Sequence, residues 1–447
     1  MKSRFFGLVF WAILGAVILS SCTGSSYDYG FEGYSPDPQI QSFTVSSRGD
    51  EDGILLSTSF TIDQINGLIY NEKTLPYKFH VDSAMVRIGS ANGFQSITFK
   101  MYPDSNVVWT SVDSIDINRL TQITTVSRDG ENTKTYSFKL NVYQQDPDII
   151  KWEKIGNNLV PATVYKSNTI SLKSQFITYY KNEGKVLATA SDNGDGVNWE
   201  EKDVTGLPYE IRLKTLNHMD DDLIAIDNSG SVYKSSDGLS WNKLASKYIV
   251  TNIFGLLPSG SENRLLVVVK DNGKDFFAIT KDFSEFRVLN EFDDSLLPID
   301  GFSCSTIASS TSYAVRYIVA IGGDMRDGSA NEDIFMLEEK DNRIAILKAK
   351  RPNGFNVHKS SLFFYDNKPY MLAYSGGTNV IAFSNNNGLD WKVTEENQAL
   401  PSNFSFRTNA SVLTDNNNNI WIFGGVSNDM RTLSEVWKGR LNKFDEN

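Results

Sequence analysis

The chain has 447 residues, with 54 acidic against 43 basic side chains and a formal net charge of −11. Such a balance repels phosphate backbones and argues against nucleic acid as a partner. Hydrophobic residues make up 40% and aromatics 12%, enough for large cores, and the length suggests two or three domains.

Residues 1–21 read as a targeting segment. Lys2 and Arg4 supply a short positive start, and Phe5 to Leu19 is an apolar run. A comfortable membrane span needs about 20 apolar residues, so this shorter run suits a signal peptide better. It ends in Leu19-Ser20-Ser21-Cys22, which resembles a lipobox. Small residues fit a peptidase cleft, and the Cys22 thiol is the nucleophile that takes the lipid. Each buried acyl methylene contributes about 0.8 kcal/mol to anchoring. The expected partner is therefore a membrane, held through lipid on Cys22. Residues 22–37 are rich in Ser, Gly and Tyr without periodicity and read as a tether. Thr23 is not the Asp that hints at inner-membrane retention, so an outer-membrane address is expected, with the exposed face left open. With Cys22 lipidated, Cys304 has no intramolecular disulfide partner, and the fold must rest on packing.

Residues 38–146 read as a small all-β domain. Strand signals fall at Ile40–Val45, Ile54–Ile62, Tyr77–Val81, Ser96–Tyr102 and Thr135–Val142, divided by turns such as Ala91-Asn92-Gly93 and Arg128-Asp129-Gly130. Short strands at this spacing predict an Ig-like sandwich. Asp146-Pro147-Asp148 marks the boundary.

Residues 147–447 repeat. The stretches opening at Asp222, Arg264 and Pro369 align as strand, tight turn, strand, polar turn, aromatic; Phe176–Trp199 is a looser copy. The turn with Ser384, Asn386, Gly388 and Trp391 resembles an Asp-box, as does Ser235, Asp237, Gly238 and Trp241 with one residue fewer. Thr280, Asp282 and Phe286 form a degenerate copy. The carboxylate or amide accepts turn N–H groups, Gly supplies positive φ, and the aromatic packs between sheets. Asp-boxes occur in sialidases, but as structural turns away from the active site, and that reading is preferred. Gly322-Gly323 and Gly424-Gly425 follow apolar strands as in kelch repeats, and Gly376-Gly377 holds the same place.

Third strands are expected near Lys185, Ser231, Asp275, Asp333, Asn379 and Glu435, and fourth strands near Trp199, Trp241, Phe286, Arg343 and Trp391. The last repeat lacks a fourth strand, while the segment at Trp152 matches the one at Trp241. The expected fold is all-β: a small Ig-like β-sandwich followed by a six-bladed β-propeller, closed by the strand near Trp152.

The lipobox, Tyr70-Asn71-Glu72-Lys73-Thr74-Leu75-Pro76-Tyr77, Asp113-Ser114-Ile115-Asp116, Asp129-Gly130 before Lys134-Thr135-Tyr136, and the repeats together resemble a family of Bacteroidota lipoproteins with a domain of unknown function. The resemblance implies an N-terminal sandwich and a kelch-like propeller over most of the chain. It implies no activity.

Chemistry is sparse. A radical-copper oxidase needs more ligands than His218, His358 and Cys304. A sialidase needs a clustered Arg triad, and the arginines here are scattered. A glycosidase needs two facing carboxylates, and no motif marks a pair. Asp220-Asp221-Asp222 and Asp293-Asp294 read as solvated turns rather than metal sites. No metal and no cofactor is implied. One pattern remains: a Pro and an apolar residue open most repeats, and the innermost strand should follow. Lys166, Arg212, Cys304, His358 and Arg407 fall there. Lys166, Arg212, His358 and Arg407 are therefore expected to form a basic central funnel that takes an anionic group. The alternative is that they face elsewhere or satisfy backbone carbonyls. The function favoured is a non-enzymatic glycan- or protein-binding module of the cell envelope. A glycan-active hydrolase or lyase comes second, and a structural subunit of an outer-membrane assembly third.

Overall fold

A computed structural model describes residues 34–445, apart from 51, 162, 163, 165, 192, 193, 260, 261 and 308–316. The lipobox, Cys22 and most of the expected tether lie outside the described residues. Backbone contacts divide the chain between Gln144 and Gln145. Among the described residues there is no α-helix, only strands and short 3-10 turns such as Ile117–Arg119. None of them is long and apolar enough to cross a membrane as a helix.

The first unit has two sheets around one core. One joins Ser42–Ser47, Ala84–Gly89 and Ser114–Ile115. The other has six strands, with Thr133–Lys139 between Leu68–Asn71 and Leu120–Ser127. Alternation builds the core: Phe43 and Val45 point inward from one strand, Ile97, Phe99 and Met101 from another. Tyr136 is fully buried, and its hydroxyl accepts from Ile40 N at 3.0 Å and donates to Gln64 Oε1 at 2.7 Å. Two expected strands differ. Tyr77–Val81 is not a strand, because Lys78 adopts φ 59° and Val81 is buried from a loop. Of Ile54–Ile62 only the end is extended, within Phe60–Asp63; Ser57 N closes a turn onto Gly53 O at 3.0 Å. Leu120–Ser127 was hidden because it turns Thr125 and Ser127 inward among its apolar residues.

The second unit has six four-stranded antiparallel sheets. In chain order, their innermost strands are Ser167–Leu172, Asn217–Met219, Ile249–Ser259, Ser303–Ile307, Asn356–Tyr365 and Ser411–Thr414. Expected third- and fourth-strand positions fall within one residue of observed strands throughout. In the sixth sheet Ile150–Gly156 pairs antiparallel with Val436–Leu441, bringing Trp152 opposite Gly439. A Cβ on Gly439 would lie 2.5 Å from the Trp152 ring, so glycine is required at that crossing.

Six apolar clusters, one between each pair of successive sheets and one between the sixth and the first, hold this unit together. Each sheet is therefore buried on both faces. That is why its second strands read as unbroken apolar runs, such as Leu223–Ile226 and Ile420–Phe423, rather than alternating ones. Polar bonds follow the same circuit near the innermost strands. Asn168 Nδ2 donates to Leu213 O, Arg212 Nη1 to Thr251 O, and Thr306 Oγ1 to Leu256 O. Leu362 N donates to Ser303 Oγ, Ser361 Oγ to Ala410 O, and Thr169 N to Ser411 Oγ.

Candidate functional site

Because each sheet is an antiparallel meander, the turns between second and third strands emerge at the same end as the segments leading into the innermost strands. There the second unit encloses a cavity of about 670 Å³, within the range of roughly 300–1,000 Å³ typical of small-molecule sites. Every sheet except the third contributes to its described lining.

Lys166, just before Ser167–Leu172, lies exposed on this lining. Arg212 lines it too, but its donors are committed: to Thr251 O at 2.5 Å, Ile299 O at 2.7 Å, Asn252 Oδ1 at 3.1 Å and Asp300 Oδ1 at 2.8 Å. His358 Nε2 lies 2.9 Å from Asp324 Oδ1. Arg407 departs from the expected funnel. Its side chain is wholly buried beneath the lining, donating to Gly424 O at 3.0 Å and to the carboxylate of Glu435. The next residues, Thr408 and Asn409, reach the lining, while the guanidinium of Arg407 is held by Glu435 instead. Cys304 lies deeper, in a second cavity of about 270 Å³, and burial pushes its thiol pKa well up.

Three lysines on the lining were not anticipated. Lys181 is the last residue but one of the second strand of the first sheet, Lys214 sits in the 3-10 turn Leu213–Thr215, and Lys359 follows His358 with φ 59°. A rule that takes one residue per repeat at the start of each innermost strand passes over all three. Lys181 is half-buried, 5.0 Å from the Tyr209 ring centroid. Burial and then the charge of Lys166 lower its pKa, against Glu210 and Asp300. Lys214 is half-buried and donates to Asn409 O at 3.4 Å; burial brings its ammonium down to about 8. The carboxylates on the described lining are Asp300 and Asp324, and Arg212 and His358 occupy them. Lys166, Lys181, Lys214 and Lys359 have no carboxylate ion-pair partner among the described residues. The net field in the cavity is positive within an acidic protein.

Residues 146–446 match the DUF6242 beta propeller domain, and residues 41–140 match the DUF6242 N-terminal domain, a domain of unknown function. This chain belongs to the DUF6242 family. The cavity lies in its propeller domain. Among curated proteins none matches the sequence. Similar solved structures include YjhT (10% identity, 63% of this chain and 95% of that one, TM-score 0.42). A DUF4623 family protein from Bacteroides eggerthii is 11% identical over 90% of this chain and 98% of that one, TM-score 0.37. A fungal alcohol oxidase of the AA5 family, solved with copper, is 10% identical over 66% and 77%, TM-score 0.43. At these values nothing is carried from them to the DUF6242 protein.

The Asp-box-like turns of the DUF6242 propeller join third to fourth strands, at the opposite end of the sheets from the cavity. Asp237 Oδ1 accepts from Leu239 N and Ser240 N at 2.8 Å and from Ser235 Oγ at 2.9 Å. Burial opposes its charge, but these bonds hold its carboxyl at about 2. Gly238 N donates to Ser235 Oγ at 2.9 Å, and Trp241 Nε1 to Gly238 O at 3.2 Å. Trp241 packs against Tyr179 of the preceding sheet, ring centroids 5.9 Å apart. Ser384, Asn386, Gly388 and Trp391 repeat the arrangement, with Asp390 N on Asn386 Oδ1 at 2.9 Å and Trp391 Nε1 on Gly388 O at 2.9 Å. Ser191, Asp195, Gly196 and Trp199 do so as well. In the third sheet Phe283 takes the glycine's place at φ 64°, buried against the second sheet. These turns dock sheets.

In the N-terminal unit, His80, Asp82 and Asp116 offer ligand atoms within 4.8 Å of one another. His80 and Asp82 are exposed, and the His80 ring nitrogens already face Asp82 and Asn118.

Proposed function

We propose that this DUF6242 protein is a cell-envelope lipoprotein, anchored to the outer membrane through Cys22, and a non-enzymatic binding module. Its six sheets are the blades of one kelch-like propeller, closed by the strand at Trp152, and its N-terminal unit is an Ig-like sandwich. The six inter-sheet clusters and the circuit of bonds near the innermost strands support that count. The ligand is an anionic group on a glycan or envelope protein.

The observation that carries this reading is the cavity of about 670 Å³ with four lysines that make no ion pair with a carboxylate among the described residues. A cation left without a partner in a concave, partly dehydrated site gains most from an incoming anion. Asp300 and Asp324 favour the alternative of a glycan hydrolase, because both line the cavity. Asp300 is already held by the Arg212 guanidinium and Asp324 by the His358 imidazole, so the two are not a free pair of facing carboxylates.

The test is binding of the purified lipidated protein, in detergent, to acidic and neutral glycans across a salt series. Acidic glycans alone should bind, and weaken as salt rises. Equal binding of neutral glycans, or turnover lost in Asp300→Asn, sinks the reading. Cys22→Ser should abolish fatty-acid labelling and membrane fractionation.

A further inference from the structure

Lys214 stands at a junction. It lines the large cavity and also the smaller one behind it, and Gly301 and Asn409 are the other residues shared between the two. Lys166, Lys181 and Lys359 belong to the large cavity alone, and Arg212 and His358 there are already matched by Asp300 and Asp324. Behind Lys214 the positive field ends. Apart from Lys214, the titratable groups on the described lining of the smaller cavity are His218 and Cys304, and burial favours the neutral form of each, lowering the pKa of the first and raising that of the second. Hydroxyls there, such as Ser303, Ser361 and Ser411, already bridge neighbouring sheets.

We propose that Lys214 is the floor of an anion subsite, receiving the terminal carboxylate or phosphate of a ligand that enters between Lys166, Lys181 and Lys359. This rests on the binding-module reading above and adds the innermost contact and the kind of ligand. An anion drawn inward by the outer lysines meets its last cation at Lys214, so the site takes a small acid or the acidic end of a chain. No Phe, Tyr or Trp is on the described lining of the large cavity, so recognition is ionic rather than by stacking on a sugar face.

Chemistry at Lys214 gives the site a signature. Its only hydrogen-bond partner among the described residues is a carbonyl, and its ammonium titrates at about 8. An anion seated against it favours the charged form, so binding near that pH draws a proton from solvent.

The experiment is isothermal titration of the purified full-length protein with inorganic phosphate and with galacturonate. It is run at pH 8 and at about pH 6.5, in two buffers of different ionisation enthalpy. One or both probes should bind; galacturonate, ionised at both pH values, should do so with uptake of roughly half a proton at pH 8 and almost none at pH 6.5, whereas phosphate, which itself titrates at about pH 6–7, reports affinity only. Which probe binds more tightly identifies the acid. Lys214→Met should bind roughly ten- to a hundredfold more weakly and take up no proton. Lys214→Arg, always charged, should retain binding without the proton uptake. Galacturonate binding without uptake at pH 8, or binding of either probe unchanged in Lys214→Met, overturns the inference and leaves the anion-binding reading in place. Failure of both probes to bind the wild-type protein overturns both.

Discussion

Arg407 donates through Nη2 to Oε2 of Glu435, with its side chain entirely removed from solvent. Lys154, from the strand that begins the second unit, reaches the other oxygen of Glu435 at 2.6 Å. One carboxylate thus gathers charges from both ends of this unit.

Glu435→Gln should cost about 3–5 kcal/mol of stability, since it leaves Arg407 buried without its counter-charge. Burial raises the Glu435 pKa, but bonds from Lys154, Trp437 and Arg407 prevail and hold it at about 2, below the ordinary 4.5. A depressed carboxyl contributes stability that is complete above the unfolded pKa and lost as pH falls through the folded one. Thermal unfolding should therefore show a wide gap between wild type and variant at pH 7, narrowing between pH 4.5 and 2.

Lys214 gives a pH dependence of the same sign, but from a group that destabilises the fold when charged. Its folded pKa of about 8 lies below the ordinary 10.5. Below pH 8 it is charged in both states, and the folded protein bears the full cost of a buried cation. Between 8 and 10.5 the unfolded chain holds more protons, so this group's contribution to stability rises with pH. Lys214→Met should be more stable than wild type at pH 7, and by less at pH 9, when both are melted without ligand.

Lys166→Glu combined with Lys359→Glu should abolish binding of acidic ligands while changing stability by no more than about 0.5 kcal/mol, because both side chains are exposed. Arg212→Ala should lower the melting temperature, since it removes bonds to Thr251, Asn252, Ile299 and Asp300. Calorimetry beside binding separates these two kinds of residue.

Asp237→Ala should cost about 1–2 kcal/mol through the lost turn bonds and leave ligand affinity untouched. Asn386→Ala should cost less, because a neutral acceptor makes weaker bonds than a carboxylate. If either substitution alters binding, the assignment of these turns to sheet docking is wrong.

Strand order was legible because burial on both faces writes itself as short apolar runs, and because the turns between third and fourth strands have a local grammar of Ser, Asp, Gly and Trp. Trp152 could be matched to the repeat it completes since Trp241 and Trp391 mark the same place in other sheets. The first unit was harder to read. Leu120–Ser127 buries Thr and Ser along with Ile123, and Tyr77–Val81 alternates like a strand yet turns at Lys78. Sequence period reports which residues are buried, not which backbone conformation buries them.

The sequence by itself determined that the chain is all-β, where its repeats begin, and which turns close them, since each of these depends on residues near one another in the chain. Only the tertiary structure decided which cations face the cavity. Lys166, Lys181, Lys214 and Lys359 come from three sheets, and whether each remains unpaired depends on acids supplied by others. Arg407 and Arg212 look alike in sequence, but Glu435 lies 28 residues from the first and Asp300 lies 88 from the second. Coulomb interactions act through space at a few ångströms, and chain separation does not constrain them.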